Sequence, residues 1–361
     1  MNKKSYYYNI TDDFNRFPVA TVIVVFGGRS TGKTYSTLDY VRTNDKRFVF
    51  IKRTIDDVKL LCSGQTYGAK PNEKNKFRID ASPFKPLNRD KGCNIKAFQY
   101  YNGIGGFYRC DENNDTVGSP IGYLIALSAV SKFKGFDLSE CEYIIFDEFV
   151  PKPYERINKK EGEQLLDLIK TIERDRSHRG LPPLKIILLA NADNVASPVT
   201  QTLNITDILA KMSATGQEYY YDDEKHLLLH KIIMSDEFVE TESKSDIYTI
   251  MKGSEWERMA LGNEFAFNDF SQVKKQNTHR YRCYARVKYH NETHYIYIND
   301  RGEYYVTFSK SAHFTHDVDL SKDQDKYNFI QLAKYDIMRR NNVWFETYSL
   351  YYLYRNCDKV L

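Results

Sequence analysis

The stretch that most constrains this chain runs from Thr21 to Thr34, TVIVVFGGRSTGKT. Thr21 to Phe26 is a short β-branched apolar run of the kind that forms a buried strand. Gly27, Gly28, Arg29, Ser30, Thr31, Gly32, Lys33 and Thr34 then satisfy G-x-x-x-x-G-K-[ST] at every fixed position. Tyr35 to Arg42 contains neither Pro nor Gly and is expected to be helical. Strand, glycine loop and helix in that order are the context the motif requires. The glycines let the main chain turn its N–H groups inward, making a concave anion nest at a helix N-terminus. Lys33 can then reach the β- and γ-phosphates, and the Thr34 hydroxyl can ligate Mg2+. A nucleoside triphosphate site is expected here, because an ordinary glycine turn does not account for so complete a match.

A second strand is expected at Phe48–Ile51, with Lys52 and Arg53 at its carboxyl end. Residues 54–120 break the strand–helix rhythm with Gly, Asn, Lys and Pro clusters around two short strands, Ala97–Tyr101 and Phe107–Arg109. They read as an insertion, either a lid over the nucleotide or a surface excursion. The rhythm resumes at Tyr123–Leu127, and Tyr143-Ile144-Ile145-Phe146 forms an apolar strand ending in Asp147 and Glu148. Beside a phosphate loop, the first of two such acids holds the Mg2+ shell. The second is placed to polarise an attacking water.

A helix is expected from Glu161 to Arg174, with Leu165, Leu168, Ile169 and Ile172 on one face. It ends in Arg174-Asp175-Arg176-Ser177-His178-Arg179. Cations there complement the helix macrodipole, or present an arginine to the γ-phosphate of a neighbouring subunit. Another buried strand, Lys185–Ala190, closes on Asn191, which either senses the γ-phosphate or caps the next turn. A helix over Leu203–Lys211 and strands at 219–221 and 227–229 complete a three-layer α/β nucleotide-binding domain, residues 1–238.

Residues 239–272 form a charged linker module with a helix expected over Asp246–Leu261, and a strand-rich segment covers 273–361. The 361 residues suit about two domains. The net charge of +4 is small, yet Val273–Leu361 carries 15 Lys and Arg against 10 Asp and Glu, leaving 37 against 38 elsewhere. In Arg280–Lys288 a period of two places Arg280, Arg282, Arg286 and Lys288 on one face with Tyr284. That face suits either a nucleic-acid backbone or protection of an exposed edge. A hairpin at His294–Ile298 and Tyr304–Phe308 follows, then helices at Lys326–Arg340 and Trp344–Arg355. Six scattered cysteines with no C-x-x-C pair indicate neither zinc nor a disulfide framework. No apolar run approaches the ~20 residues of a membrane span. A soluble intracellular protein without a membrane partner is expected.

GGRSTGKT, IIFDEF, RDR after the intervening helix, LAN at the next strand and LGNEF at Leu261–Phe265 together resemble the DNA-packaging (encapsidation) ATPases of small, short-tailed, protein-primed phages. The likeness spans most of the chain. It implies a large-terminase-like, additional-strand P-loop ATPase that hydrolyses ATP with Mg2+ to translocate double-stranded DNA. Such proteins form a homopentameric ring on the portal of a procapsid, in the host cytoplasm, in one system through a structural RNA. By the same resemblance, Lys33 and Thr34 take the phosphate-loop roles, Asp147 holds the metal and Glu148 acts as base. Arg174 falls where the family places its trans-acting arginine, and Lys134 matches another basic residue acting across subunits. The C-terminal domain is implied to be an α+β, degenerate ribonuclease-H-like fold without nuclease activity. Two other readings are a helicase or recombination ATPase and a nucleotide-gated scaffold. A GTPase switch is disfavoured, since no N-K-x-D segment occurs.

Overall fold

The computed structural model describes residues 7–62, 81–133, 136–152, 155, 158–191, 194–254, 269–290, 292–340 and 342–361. Lys134 and the Leu261–Phe265 motif lie outside them. The described residues fall into two compact units. The first is drawn from residues 1–153, 163–194 and 212–266, the second from 154–162, 195–211 and 267–361. Among the described residues no helix is long and apolar enough to cross a membrane.

The first unit is built on a nine-stranded sheet. Its strands are β1 (Val22–Gly27), β2 (Phe48–Lys52), β3 (Ile95–Tyr101), β4 (Ile104–Cys110), β5 (Thr116–Ala126), β6 (Tyr143–Asp147), β7 (Lys185–Asn191), β8 (Tyr219–Asp222) and β9 (Leu227–Lys231). Their order is β3-β4-β5-β2-β6-β7-β1-β9-β8, parallel from β5 through β9 and antiparallel at both margins. The central strands are continuous apolar runs because both faces are covered; Phe48 to Ile51 and Ile144 to Phe146 are fully buried. Parallel alignment brings the carboxyl ends of β1, β2, β6 and β7 to one margin. Gly27 stands beside Asn191, Asp147 beside Leu189, and Ile51 beside Phe146. In open α/β sheets that margin is where ligands bind.

Helices stand at that margin and between the strands. Helix α1 (Ile10–Arg16) is capped by the Asn9 side chain. Helix α2 (Lys33–Thr43) leaves the glycine loop, and α5 (Glu161–Glu173) crosses from β6 to β7. The described part of the segment expected as an insertion holds strands as well as short helices. Its strands β3 and β4, with a β5 that starts seven residues before Tyr123, extend the same sheet by antiparallel pairing.

The second unit holds a five-stranded sheet of β10 (Tyr281–Tyr289), β11 (Glu292–Asn299), β12 (Tyr304–Thr307), β13 (His316–Asp319) and β14 (Val343–Phe345), in the order β13-β10-β11-β12-β14. Residues 195–211, expected with the first domain, group with this sheet. Both carboxylate oxygens of Asp207 accept from Ser349, from its N–H at 2.9 Å and its hydroxyl at 2.8 Å. The expected Leu203–Lys211 helix is two helices, Pro198–Thr202 and Thr206–Thr215. The Asp246 helix ends at Met251, before the undescribed residues begin. Val343–Phe345 is a strand rather than the start of the last helix. Val343 and Phe345 are buried on one face while Trp344 turns to the other, and the segment pairs in parallel with β12. The helix itself begins at Tyr348, capped by the Thr347 hydroxyl.

Candidate nucleotide site

The glycine loop folds as a cup. Ser30 and Gly32 take left-handed backbone, with φ of 60° and 84°. At Gly32, the N-cap of α2, this conformation favours a residue without Cβ. No side chain caps α2, and its first turn carries no acid. A helix N-terminus with no side-chain cap and no acid in its first turn suits an external anion, which is the fit a triphosphate requires. The Lys33 ammonium is folded back onto the loop, donating to the carbonyls of Gly27 (3.2 Å) and Gly28 (2.7 Å) and to the Thr31 hydroxyl (3.2 Å). The N-terminal segment braces the cup from outside, with the Tyr8 N–H donating to Thr31 O at 2.9 Å.

Across the cup stands the end of β6. The Thr34 hydroxyl donates to Asp147 Oδ1 at 2.7 Å, joining residues 113 apart in the chain. The other Asp147 oxygen accepts from Lys52 Nζ at 2.9 Å, and the same ammonium reaches Glu148 Oε2 at 3.3 Å. Burial opposes charge on Lys52, but the carboxylates of Asp147 and Glu148 outweigh it and raise its pKa. Burial likewise works to raise the Glu148 carboxyl. The charges of Lys52, Lys152 and Arg29 prevail and hold it below the usual carboxylate range. Glu148 is thus ionised at neutral pH, with its side chain 53% exposed.

Glu148 itself has left-handed backbone, φ 55°. For a residue with a Cβ this costs on the order of 1 kcal/mol and persists only where surrounding structure imposes it. Here Arg53 Nη2 donates to the carbonyls of Glu148 (2.9 Å) and Phe149 (3.0 Å), while the Phe149 N–H donates to Leu189 O (3.1 Å).

Lys33, Thr34, Asp147, Glu148 and Asn191 line one cleft of about 1210 Å³. The cleft runs on along α2 to Lys85 and Arg89, residues of helix α4 (Lys85–Lys91) within the segment expected as an insertion. Lys52 and Arg53 had no role assigned from sequence. The signal was present in two consecutive cations ending a strand that, in a parallel sheet, stands beside the strand carrying the acids.

Arg174 is elsewhere. It is exposed on the turn after α5 and makes no side-chain hydrogen bond or ion pair among the described residues. Its neighbour Arg176 is 3% exposed and spent on main chain. It donates to Pro182 O from Nε (3.1 Å) and Nη2 (2.8 Å), and from Nη1 to Ser139 O (2.8 Å) and Cys141 O (2.7 Å). These carbonyls surround the amino end of β6. Five strand residues, about 16 Å at ~3.3 Å per residue, separate that end from Glu148.

In the second unit the basic residues do not share a face. Cys283 pairs with Tyr297 and Ala285 with Ile296, so a bulge at Tyr284 reverses the alternation. Arg286 and Lys288 lie across from Tyr295 and Thr293, on the face opposite Arg282, and Arg280 closes a 3-10 turn before the strand. Arg286 is held in a two-point pair with Asp317 (2.9 and 2.6 Å), and Lys288 lies 3.6 Å from the same carboxylate. Arg280 and Arg282 stay exposed.

The sequence model of a family described as Podovirus DNA encapsidation protein (Gp16) matches residues 58–343. That span contains Asp147, Glu148 and Arg174 and begins beyond the glycine loop. No curated protein matches the chain. Among solved structures, the chain is similar to one described as the bacteriophage Phi-29 viral genome packaging motor assembly. The TM-score is 0.63 at 17% identity, over 98% of this chain and 100% of that one. It is also similar to the Phi-28 gp11 DNA packaging motor, with TM-score 0.58 at 18% identity over 99% of each chain. At these identities the likeness concerns the fold.

Proposed function

This chain belongs to the podovirus DNA encapsidation protein (Gp16) family and is a phage DNA packaging motor ATPase, and from that premise we propose which of its residues carry each part of the cycle. The observation that carries the assignment is the 2.7 Å hydrogen bond from Thr34 to Asp147, which ties the phosphate cup to the acid strand. The triphosphate of ATP sits on the uncapped N-terminus of α2, and Lys33 turns from the Gly27 and Gly28 carbonyls to its β- and γ-phosphates. Thr34 and Asp147 are hard oxygen donors that would hold Mg2+, and the ion would supply neutralisation of the charge that develops on the phosphates. Glu148, ionised and half exposed, orients the attacking water. Asn191, beside Gly27 at the tip of β7, faces the γ-phosphate.

Arg174 acts on the site of another subunit. What supports this is its exposure together with the length of β6 that separates it from its own Glu148. Arg176 cannot share the role, because its guanidinium is committed to three carbonyls. Lys134 keeps the trans role that the resemblance gives it. The architecture we assign is a three-layer, additional-strand P-loop domain, in keeping with β7 lying between β1 and β6. For the second unit we retain a degenerate ribonuclease-H-like reading without nuclease chemistry, and three of its acids serve local contacts. Asp317 serves Arg286, Glu303 serves Asn299 and Asp319 serves Ser321. Of the four basic residues picked out in Arg280–Lys288, exposed Arg280 and Arg282 are the ones we assign to a polyanion. The motor we envisage is a homopentameric ring on the portal of a procapsid, translocating double-stranded DNA in the host cytoplasm, with a structural RNA as an optional partner.

Purified procapsids, DNA, ATP and this protein, with DNase protection as the readout, test the reading directly. Wild type is expected to protect full-length DNA. Glu148→Gln should lower ATP turnover by about 10⁴-fold, keep ATP binding and protect nothing. Normal turnover by Glu148→Gln would remove the site assignment, and slow hydrolysis without protection under all conditions would favour a nucleotide-gated scaffold.

A further inference from the structure

Arg53 stands at this site without a part in the cycle, and we infer that it is a positioning residue that sets the direction of the Glu148 carboxylate by clamping the backbone of the Asp147–Phe149 turn. The inference rests on the assignment of Glu148 as the water-orienting group. The main chain at Glu148 sits in the left-handed region at φ 55°, a conformation that a residue bearing a Cβ leaves unless held. A return to right-handed backbone would swing the Cα–Cβ bond and carry the carboxylate away from the cup.

Arg53 is placed to prevent that return. One nitrogen, Nη2, bridges the carbonyl oxygens of Glu148 and Phe149 at 2.9 and 3.0 Å. Two successive carbonyls can converge on a single donor only while the turn keeps its shape. Phe149 anchors the far side, with its N–H on Leu189 O and its ring buried at 6.3 Å from that of Phe146. Arg53 is fixed in its turn, since its carbonyl accepts from the Ser128 N–H at 3.1 Å. The last residue of β2 and the one after it therefore hold the two ends of the same glutamate. Lys52 takes the carboxylate and Arg53 takes the main chain. A planar guanidinium suits the second task because its donors keep a fixed direction, which an ammonium on a flexible stem does not.

The test separates orientation from folding. Arg53→Met should lower turnover at saturating ATP by about 100-fold, the cost of a misplacement near 1 Å. The Kd of a fluorescent ATP analogue should stay within about threefold of wild type, since binding and chemistry are distinct losses. Arg53→Lys, which keeps one donor, should recover part of the turnover. In single-turnover measurements, adding Arg53→Met to Glu148→Gln should bring no further loss, because the two act through one group. Wild-type turnover by Arg53→Met, a rise in Kd that accounts for the whole loss, or a fully additive double variant would each overturn the inference. Should Arg53→Met not fold, Arg53→Lys decides: reduced turnover at unchanged Kd supports the clamp, and wild-type turnover refutes it. Full activity of Glu148→Gln alone would be a different failure, that of the site assignment itself.

Discussion

The two ends of strand β6 solve the same local problem and differ in what they leave over. At the carboxyl end Arg53 spends its guanidinium on the carbonyls of Glu148 and Phe149. At the amino end Arg176 spends its own on those of Ser139, Cys141 and Pro182. Each clamp fixes a turn that displays a charged neighbour, Glu148 at one end and Arg174 at the other. The difference is that Glu148 meets its partners inside its own chain, with Lys52 at 3.3 Å and the phosphate cup beside it. Arg174 meets none among the described residues. A turn that displays a cation with no partner among the described residues, 16 Å or so of strand away from the chemistry, is the arrangement that the proposed action on another subunit's site would need.

The largest effect expected at the amino end tests that asymmetry. Arg174→Ala should lower turnover by about 10³-fold, at the lower end of what arginine fingers contribute. Mixing Arg174→Ala subunits with Glu148→Gln subunits should restore part of the rate, because each variant supplies what the other lacks at a shared site. Turnover titrated against mixing ratio is the measurement. A flat titration at the sum of the two residual rates would place Arg174 outside the chemistry and reduce it to a helix-terminal charge.

How much of this was legible beforehand follows from distance along the chain. The cup is local: Gly27 to Thr34 are contiguous, so their spacing alone carries the geometry. The strand ending in Asp147, with Glu148 next in the chain, is also local, and so is the helix that ends at Glu173. Lys52 and Arg53 were visible as a basic pair, but their partners are 95 and 96 residues on. Their meeting depends on β2 standing beside β6 in one register, which no single segment encodes. A period of two put Arg282 with Arg286, and a single extra residue at Tyr284 undid it. The same limit explains Val343–Phe345. Three residues carry too little pattern to tell a helix start from a strand, and pairing with β12 decided it. The grouping of residues 195–211 with the second unit turns on Asp207 finding Ser349, 142 residues away.

A smaller effect should distinguish the two clamps themselves. Arg176 is nearly fully buried and its guanidinium holds three carbonyls. Arg176→Leu fills much of the same volume but strands those acceptors, and leaving buried polar groups without donors should cost about 3 kcal/mol. Thermal unfolding compared with wild type reads this out as a lowered Tm. Arg53 is only half-buried, so Arg53→Met should lower Tm far less than Arg176→Leu while lowering turnover. If the two variants lose equal stability, the carboxyl-end clamp is structural in the same sense as the amino-end one, and the contrast between them fails.

The smallest effect concerns Lys52 and is a shift rather than a loss. Burial and the charges of Lys52, Lys152 and Arg29 act in opposite directions on Glu148, and the charges leave its pKa lowered. Lys52→Met removes the largest of those charge contributions and leaves the burial, so the Glu148 pKa must rise. At any acidic pH a smaller fraction of Glu148 is then ionised, and the acid limb of the kcat–pH profile should move to higher pH. Stability follows the same sign. A carboxyl whose folded pKa is depressed contributes stability above its unfolded pKa, and that contribution disappears as pH falls through the folded value. Lys52→Met should therefore flatten the pH dependence of unfolding in the acidic window where wild type loses stability. The Glu148 side chain is 53% exposed, so solvent screens the pair and the change in stability should be slight beside the change in the rate profile. An acid limb that stays in place, or moves to lower pH, would mean that Lys52 does not govern the charge of Glu148, and that the carboxyl-end site is poised by the loop cations alone.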